Sequence, residues 1–212
     1  MAYTNNIYVV AAICGNFWQE STVNPGIWEN LTVGAPGYGL GQWTDNPPQV
    51  MRRTALFNWL TANGYAQDSG VGQLKFLIYE DLWIPSLITP SNYNTMTDYL
   101  NSNDRDLLAL VKEWMYHWEG ISDGTETTRY NFAYDLAYNI FPNDDGTRNP
   151  WISSNSYNTI VQARNNSLLI KDFLMGASPE PPEPHEPTEE ELIAIVRWLY
   201  KKKGLEGFKI VF

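Results

Sequence analysis

The chain is 212 residues long, with 14 Lys and Arg against 24 Asp and Glu, a formal net charge of −10, and 43% hydrophobic residues. That length and apolar fraction suit one domain with a buried core and some chain left over. The acidic balance argues against nucleic acid, which demands clustered Lys and Arg. One cysteine excludes an intramolecular disulfide, and one cysteine with two histidines excludes a structural Cys/His zinc site and speaks against zinc-peptidase chemistry. No metal or cofactor is expected. No apolar run reaches the roughly 18 residues of a membrane span, and MAYTNNIYVVAAICG lacks the basic start of a secretory signal.

In chain order, Ile7, Val10, Cys14, Phe17 and Trp18 recur at helical spacing and predict a first helix with one broad apolar stripe. Glu20 falls at the stripe's edge, and Asn24-Pro25-Gly26 stops the helix. GAPGYGLGQW (34–43) reads as a turn or short hairpin, and Pro47-Pro48 breaks the chain again. Helices are then expected from about Gln49 to Ala62, over Val71–Trp83, over Asp104–Glu119 with Gly120 as C-cap, and from a Thr125 cap to about Phe141. Residues 142–155 read as loop and Tyr157–Met175 as a further helix ended by Gly176. ASPEPPEPHEPT (177–188) reads as an extended Pro/Glu linker. Thr188 and Glu191 form a capping box for an amphipathic helix in 189–212, an anchor or the start of a further module. The pattern is mostly α, with one glycine-rich hairpin.

Glu20 carries the strongest chemical signal. Burial and the electronegative end of a helix both disfavour its charged form, which is what a general acid requires. The glycines of GYGLGQW let backbone approach that carboxyl, while Gln42, Tyr38 and Trp43 offer hydrogen bonds and stacking surface for a sugar ring. GNFWQESTVNPGIWENL followed by GYGLGQWT resembles the phage tail lysozyme-like family, and is similar, more distantly, to lytic transglycosylases and goose-type lysozymes. Those families set the catalytic Glu in E-S-x-x-N-P, here Glu20 to Pro25, and follow it with G-L-x-Q, here Gly39-Leu40-Gly41-Gln42. HWEG (117–120) and RYNFAYDLAYNIF (129–141) resemble the end of the same domain, so the likeness covers roughly residues 1–145.

The resemblance implies a mostly α, α+β lysozyme-like domain over residues 1–145, with 146–176 as a helical extension packed on it. It implies cleavage of the N-acetylmuramic acid–N-acetylglucosamine β-1,4 bond of peptidoglycan with Glu20 as acid. The wall would be that of a Gram-positive host, opened by a virion tail component during DNA delivery. Other phage tail proteins would be partners through the C-terminal segment. The alternatives are a lytic transglycosylase, leaving 1,6-anhydro ends, and a tail module that grips glycan without turnover.

Hydrolysis usually takes a second carboxylate. Glu29 and Asp45 are the candidates, with Thr44 as an alternative holder of water. Trp28 joins Trp43 as a stacking platform, and Tyr138 lies in an A-Y-N triplet (137–139) like that of transglycosylases near their Glu. Trp59, Trp83, Trp114 and Trp118 stand on apolar faces and read as core. Cys14 with His117 is the residual thiol-peptidase or amidase reading, weakened because Cys14 stands inside the apolar stripe.

Overall fold

The computed structural model describes residues 2–48, 50–143 and 157–176. The expected linker over 177–188 and helix in 189–212 lie outside the described residues, as does most of the 142–155 loop. The architecture is mostly α, with seven α-helices and one small antiparallel sheet among the described residues.

Helix α1 (Ile7–Ser21) starts where the Asn6 side chain accepts the Tyr8 amide at 3.0 Å. It ends at Thr22, left-handed with φ 52, whose amide returns to the carbonyls of Phe17 and Trp18. The expected single stripe proves too modest. Every residue from Val9 to Trp18 is buried, because α1 is the central helix, enclosed by α5 (Leu107–Trp114), α6 (Glu126–Asp135) and α7 (Tyr157–Met175). Helix α7 is hydrogen-bonded to the start of the chain through Leu174, whose carbonyl accepts the amides of Tyr3 and Thr4.

The glycine-rich stretch forms a hairpin of β1 (Gly37–Tyr38) and β2 (Trp43–Asn46), with Tyr38 opposite Trp43. A third short strand, β3 (Val50–Met51), pairs with β2 and occupies residues expected to open a helix. Helix α2 therefore runs over Arg52–Ala62. Helix α3 (Gly70–Glu80) stops at left-handed Asp81, short of Trp83. Helix α4 (Met96–Leu100) was not expected. Five residues carry too little periodicity to show, although Thr95 and Asp98 close a capping box at its start. Helix α5 starts at Leu107, capped by Asp106, and its continuation Met115–Glu119 widens into a π turn ended by left-handed Gly120. Helix α6 is likewise followed by a π turn, Leu136–Ile140.

Two contacts fix how the elements meet. Gly15 lets α6 lie against α1: a Cβ there would sit 2.9 Å from the Ala133 Cβ and closer still to the Arg129 carbonyl. On the hairpin, buried Asp45 accepts the Thr54 amide at 3.0 Å and its hydroxyl at 2.7 Å, and pairs with Arg53 at 3.0 Å. A β2 side chain thus satisfies a free amide in the first turn of α2.

Gly15→Ala is expected to lose about 1–3 kcal/mol of stability in a denaturant titration, because overpacking against backbone outweighs the roughly 1 kcal/mol helix preference of Ala. Burial by itself would raise the Asp45 carboxyl, but Thr54 and Arg53 hold it below the ordinary Asp range. Its contribution is therefore present above that range and lost as pH falls through the lowered folded value. Asp45→Asn should cost about 2 kcal/mol near pH 7, the worth of hydrogen bonds to a charged group. The gap from wild type should close below about pH 4 in thermal melts taken across pH.

Candidate active site

A groove of about 570 Å³ opens beside the end of α1, within the usual range for ligand sites. The segment 27–31, with Gln42, Thr44 and Val50, lines it from the hairpin region; Leu82, Ile84, Leu87 and Ile121 line it from the loops flanking the α5 π turn. Glu20, Gly41, Arg52, Trp118 and Glu119 complete the lining. Leu31 (81% exposed) and Leu87 (46%) leave the rims apolar and open.

Glu20 stands on the last turn of α1, its side chain 20% exposed. The next residue ties that turn to the hairpin loop: Ser21 Oγ donates to the Leu40 carbonyl at 2.8 Å. The Leu40 amide donates to buried Gln73 Oε1 at 2.9 Å, so α3 fixes the same loop from behind. Gly41 then runs along the Trp118 indole, where a Cβ would come within 2.8 Å of ring Cζ3. Gln42 is left-handed (φ 47), and its side-chain amide donates to the Gly39 carbonyl at 3.1 Å.

Beneath Glu20 lies Arg129 of α6, fully buried. Its Nη2 donates to Glu20 Oε1 at 2.7 Å, and its Nη1 to Glu119 Oε2 at 2.6 Å and Asn16 Oδ1 at 3.0 Å. Its Nε donates to Thr125 Oγ1 at 2.9 Å. Asn16 and Glu20 are one turn apart on α1, so a single helix face grips the guanidinium twice. Glu119 comes from the end of the π turn, a distortion often found at functional sites. Burial, with the Glu20 carboxyl beside it, pushes the Glu119 carboxyl well above the ordinary glutamate range despite Arg129.

Of the residues singled out in the sequence, Glu20, Trp28, Glu29, Gln42 and Thr44 line the groove. Glu29 is half-buried there and accepts the Gly37 amide at 3.0 Å. Trp28 meets Tyr38 edge-on at 4.7 Å. Four others are placed elsewhere. Asp45 is committed to Thr54 and Arg53. Trp43 is wholly buried, its indole N–H donating to Glu80 at 3.2 Å. Tyr38 is buried against Trp28 and Phe57. Tyr138 is 43% exposed but packs against the rings of Tyr134 and Tyr8 and does not line the groove.

The sequence places Glu119 and Arg129 in motifs that resemble the family but does not mark either as a site residue. The available signal was an arginine on an apolar helix face: positions 129, 132, 133, 136 and 140 hold Arg, Phe, Ala, Leu and Ile. A cation there must find buried anions. Trp118, read as core, is 2% exposed yet lines the groove, with Arg52 4.7 Å above its ring.

The Cys14–His117 pairing has no support. Burial pushes the Cys14 thiol up to about 12, leaving no thiolate to attack. The His117 Nδ1 is engaged with the Ile84 carbonyl at 2.9 Å. Among the described residues no cluster of three His, Cys, Asp or Glu side chains could hold a metal ion.

Morphogenesis protein 1 of Bacillus phage B103 is 43% identical to this chain over 74 residues, 32% of the chain and 18% of that protein. The matched stretch thus spans less than a fifth of the relative. Residues 5–141, well over half of the chain, match the phage tail lysozyme family, and the chain belongs to that family.

Proposed function

We propose that the chain cleaves the glycan strand of bacterial peptidoglycan at the β-1,4 bond between N-acetylmuramic acid and N-acetylglucosamine. The observation that carries this is Glu20, a partly exposed carboxyl at the end of a buried helix in a groove of sugar size. Glu20 delivers a proton to the glycosidic oxygen. Glu29, in the same groove and oriented by the Gly37 amide, takes the part of the second carboxylate that activates water. Trp28 and Gln42 hold the sugar by stacking and hydrogen bonding.

Family membership and the phage relative support a virion component that opens the host wall locally during DNA delivery. A relative from a Bacillus phage points to a Gram-positive host. The net charge of −10 fits a particle-borne enzyme, since an untethered acidic protein is repelled by anionic teichoic acids.

Mass spectrometry of digested Gram-positive sacculi should find new reducing muramic acid ends. Ends in 1,6-anhydro form would replace hydrolysis by transglycosylation, and free amino groups would replace glycan cleavage altogether. Glu20→Gln should lower turnover by about 10²–10⁴-fold, the range for a general acid, while co-sedimentation with walls persists. Absence of lysis by the wild-type chain would leave only a glycan grip.

A further inference from the structure

Glu20 is not alone over Arg129, and the arrangement of the two carboxyls has a chemical consequence. Glu20 and Glu119 sit on one guanidinium, at 2.7 and 2.6 Å. Burial, and then the charge of Glu20, raises the Glu119 carboxyl above the ordinary glutamate range. Two ionised carboxylates in contact repel, and a single shared proton removes the repulsion. Glu119 Oε1 is buried and meets no hydrogen-bond donor among the described residues. A proton on that carboxyl turns an orphaned acceptor into a donor. The Glu119 side chain is 5% exposed against 20% for Glu20, so Glu20 can touch a glycan while Glu119 stays shielded from bulk water.

The remaining charges around the pair do not replace that proton. Asp123 stands 4.0 Å from Arg129 and adds negative charge. Tyr99 is a buried neutral neighbour. Arg52, the nearby cation over Trp118, is engaged by Glu80 in two contacts of 2.8 Å.

On the reading of Glu20 as the acid, we propose that Glu119 is its proton store: the two carboxyls share one proton above Arg129, and Glu119 hands it to Glu20 as the glycosidic oxygen leaves. Before cleavage Glu119 is the carboxylic acid and Glu20 the carboxylate. As the C–O bond breaks, its electron pair goes to the leaving oxygen. That oxygen takes a proton from Glu20, and Glu20 takes the one on Glu119. Both carboxyls are then anionic around Arg129. The hydroxyl that adds to the anomeric carbon loses one proton, from water by way of Glu29 or from the sugar directly, and its return restores the pair. Glu119 acts through Glu20 and is a positioning residue.

Two measurements on the full chain test this. Glu119→Gln, near-isosteric but without a transferable proton, should lower turnover of purified peptidoglycan about 10²-fold near neutral pH. The high-pH limb of its rate profile should move to lower pH, and Glu119→Asp should recover part of the loss. A uniform loss at every pH, with the limb unmoved, would mark Glu119 as structural and overturn the proposal. Infrared difference spectra in D₂O read the proton without activity: wild type at neutral pH should show a protonated carboxyl band that Glu119→Gln removes. No such band in wild type also overturns the shared proton, even if that variant fails to fold. A wild type that shows the band but cleaves no glycan would instead defeat the reading of Glu20 as acid.

Discussion

A positive charge with no exposed surface organises this molecule. Withdrawing a guanidinium from water costs several kcal/mol unless its donors are answered, and Arg129 is answered from four directions: Thr125, Asn16, Glu119 and Glu20. Those partners lie on α1, a π turn and the residue before α6, and Arg129 itself on α6, so satisfying one side chain sets the relative positions of all of them. Gly15 and the widened turn at Met115–Glu119 follow as conditions of the same fit. One lets α6 come close enough to α1, and the other ends the α5 continuation with Glu119 at the guanidinium. The enclosure of α1 on nearly every face is the packing counterpart of that network.

The aromatic load answers a second need. Trp59, Phe76, Trp43, Trp118, Trp114, Tyr99 and Trp83 form a continuous chain of ring contacts with centroids 5.0 to 6.0 Å apart. The chain joins the hairpin to the helices around α5, making the groove's lining the outer surface of the core. Such pairs add about 0.5–1.5 kcal/mol each beyond the area they bury. This is why a composition that suggested aromatic platforms for sugars leaves chiefly Trp28 and Trp118 at the groove. Most rings are spent holding its two sides together.

What was legible in the sequence had local grammar. The stripe that located α1, the Asn-Pro-Gly stop, the glycine-rich hairpin and the span of α7 all announce themselves within a dozen residues, and Glu20 is found by its place on such an element. The misplacements share a physical cause. Asp45 reads as a loop carboxylate because the helix amide that claims it lies nine residues on, across a strand that no pattern announces. Trp43 reads as a platform because its partners Glu80 and Trp118 belong to other helices. Arg129 stands 113, 109 and 10 residues from Asn16, Glu20 and Glu119 along the chain yet touches all three. The two motifs that hold Glu119 and Arg129 carry the family resemblance, and the arginine on an apolar face is the physical sign of their pairing.

The groove is lined with more acid than base among the described residues. Three carboxyls, Glu20, Glu29 and Glu119, line it. Its cation, Arg52, is already neutralised by Glu80, and Arg129 lies buried beneath. A surplus of negative potential does little for a neutral glycan in its ground state. Under the proposed glycan cleavage, it would favour a reacting sugar ring that gains positive character as its leaving group departs. The buried arginine then has a function beyond packing. It keeps two carboxyls together at a groove of this polarity without forcing them apart, and the preorganised site need not rearrange when charge develops.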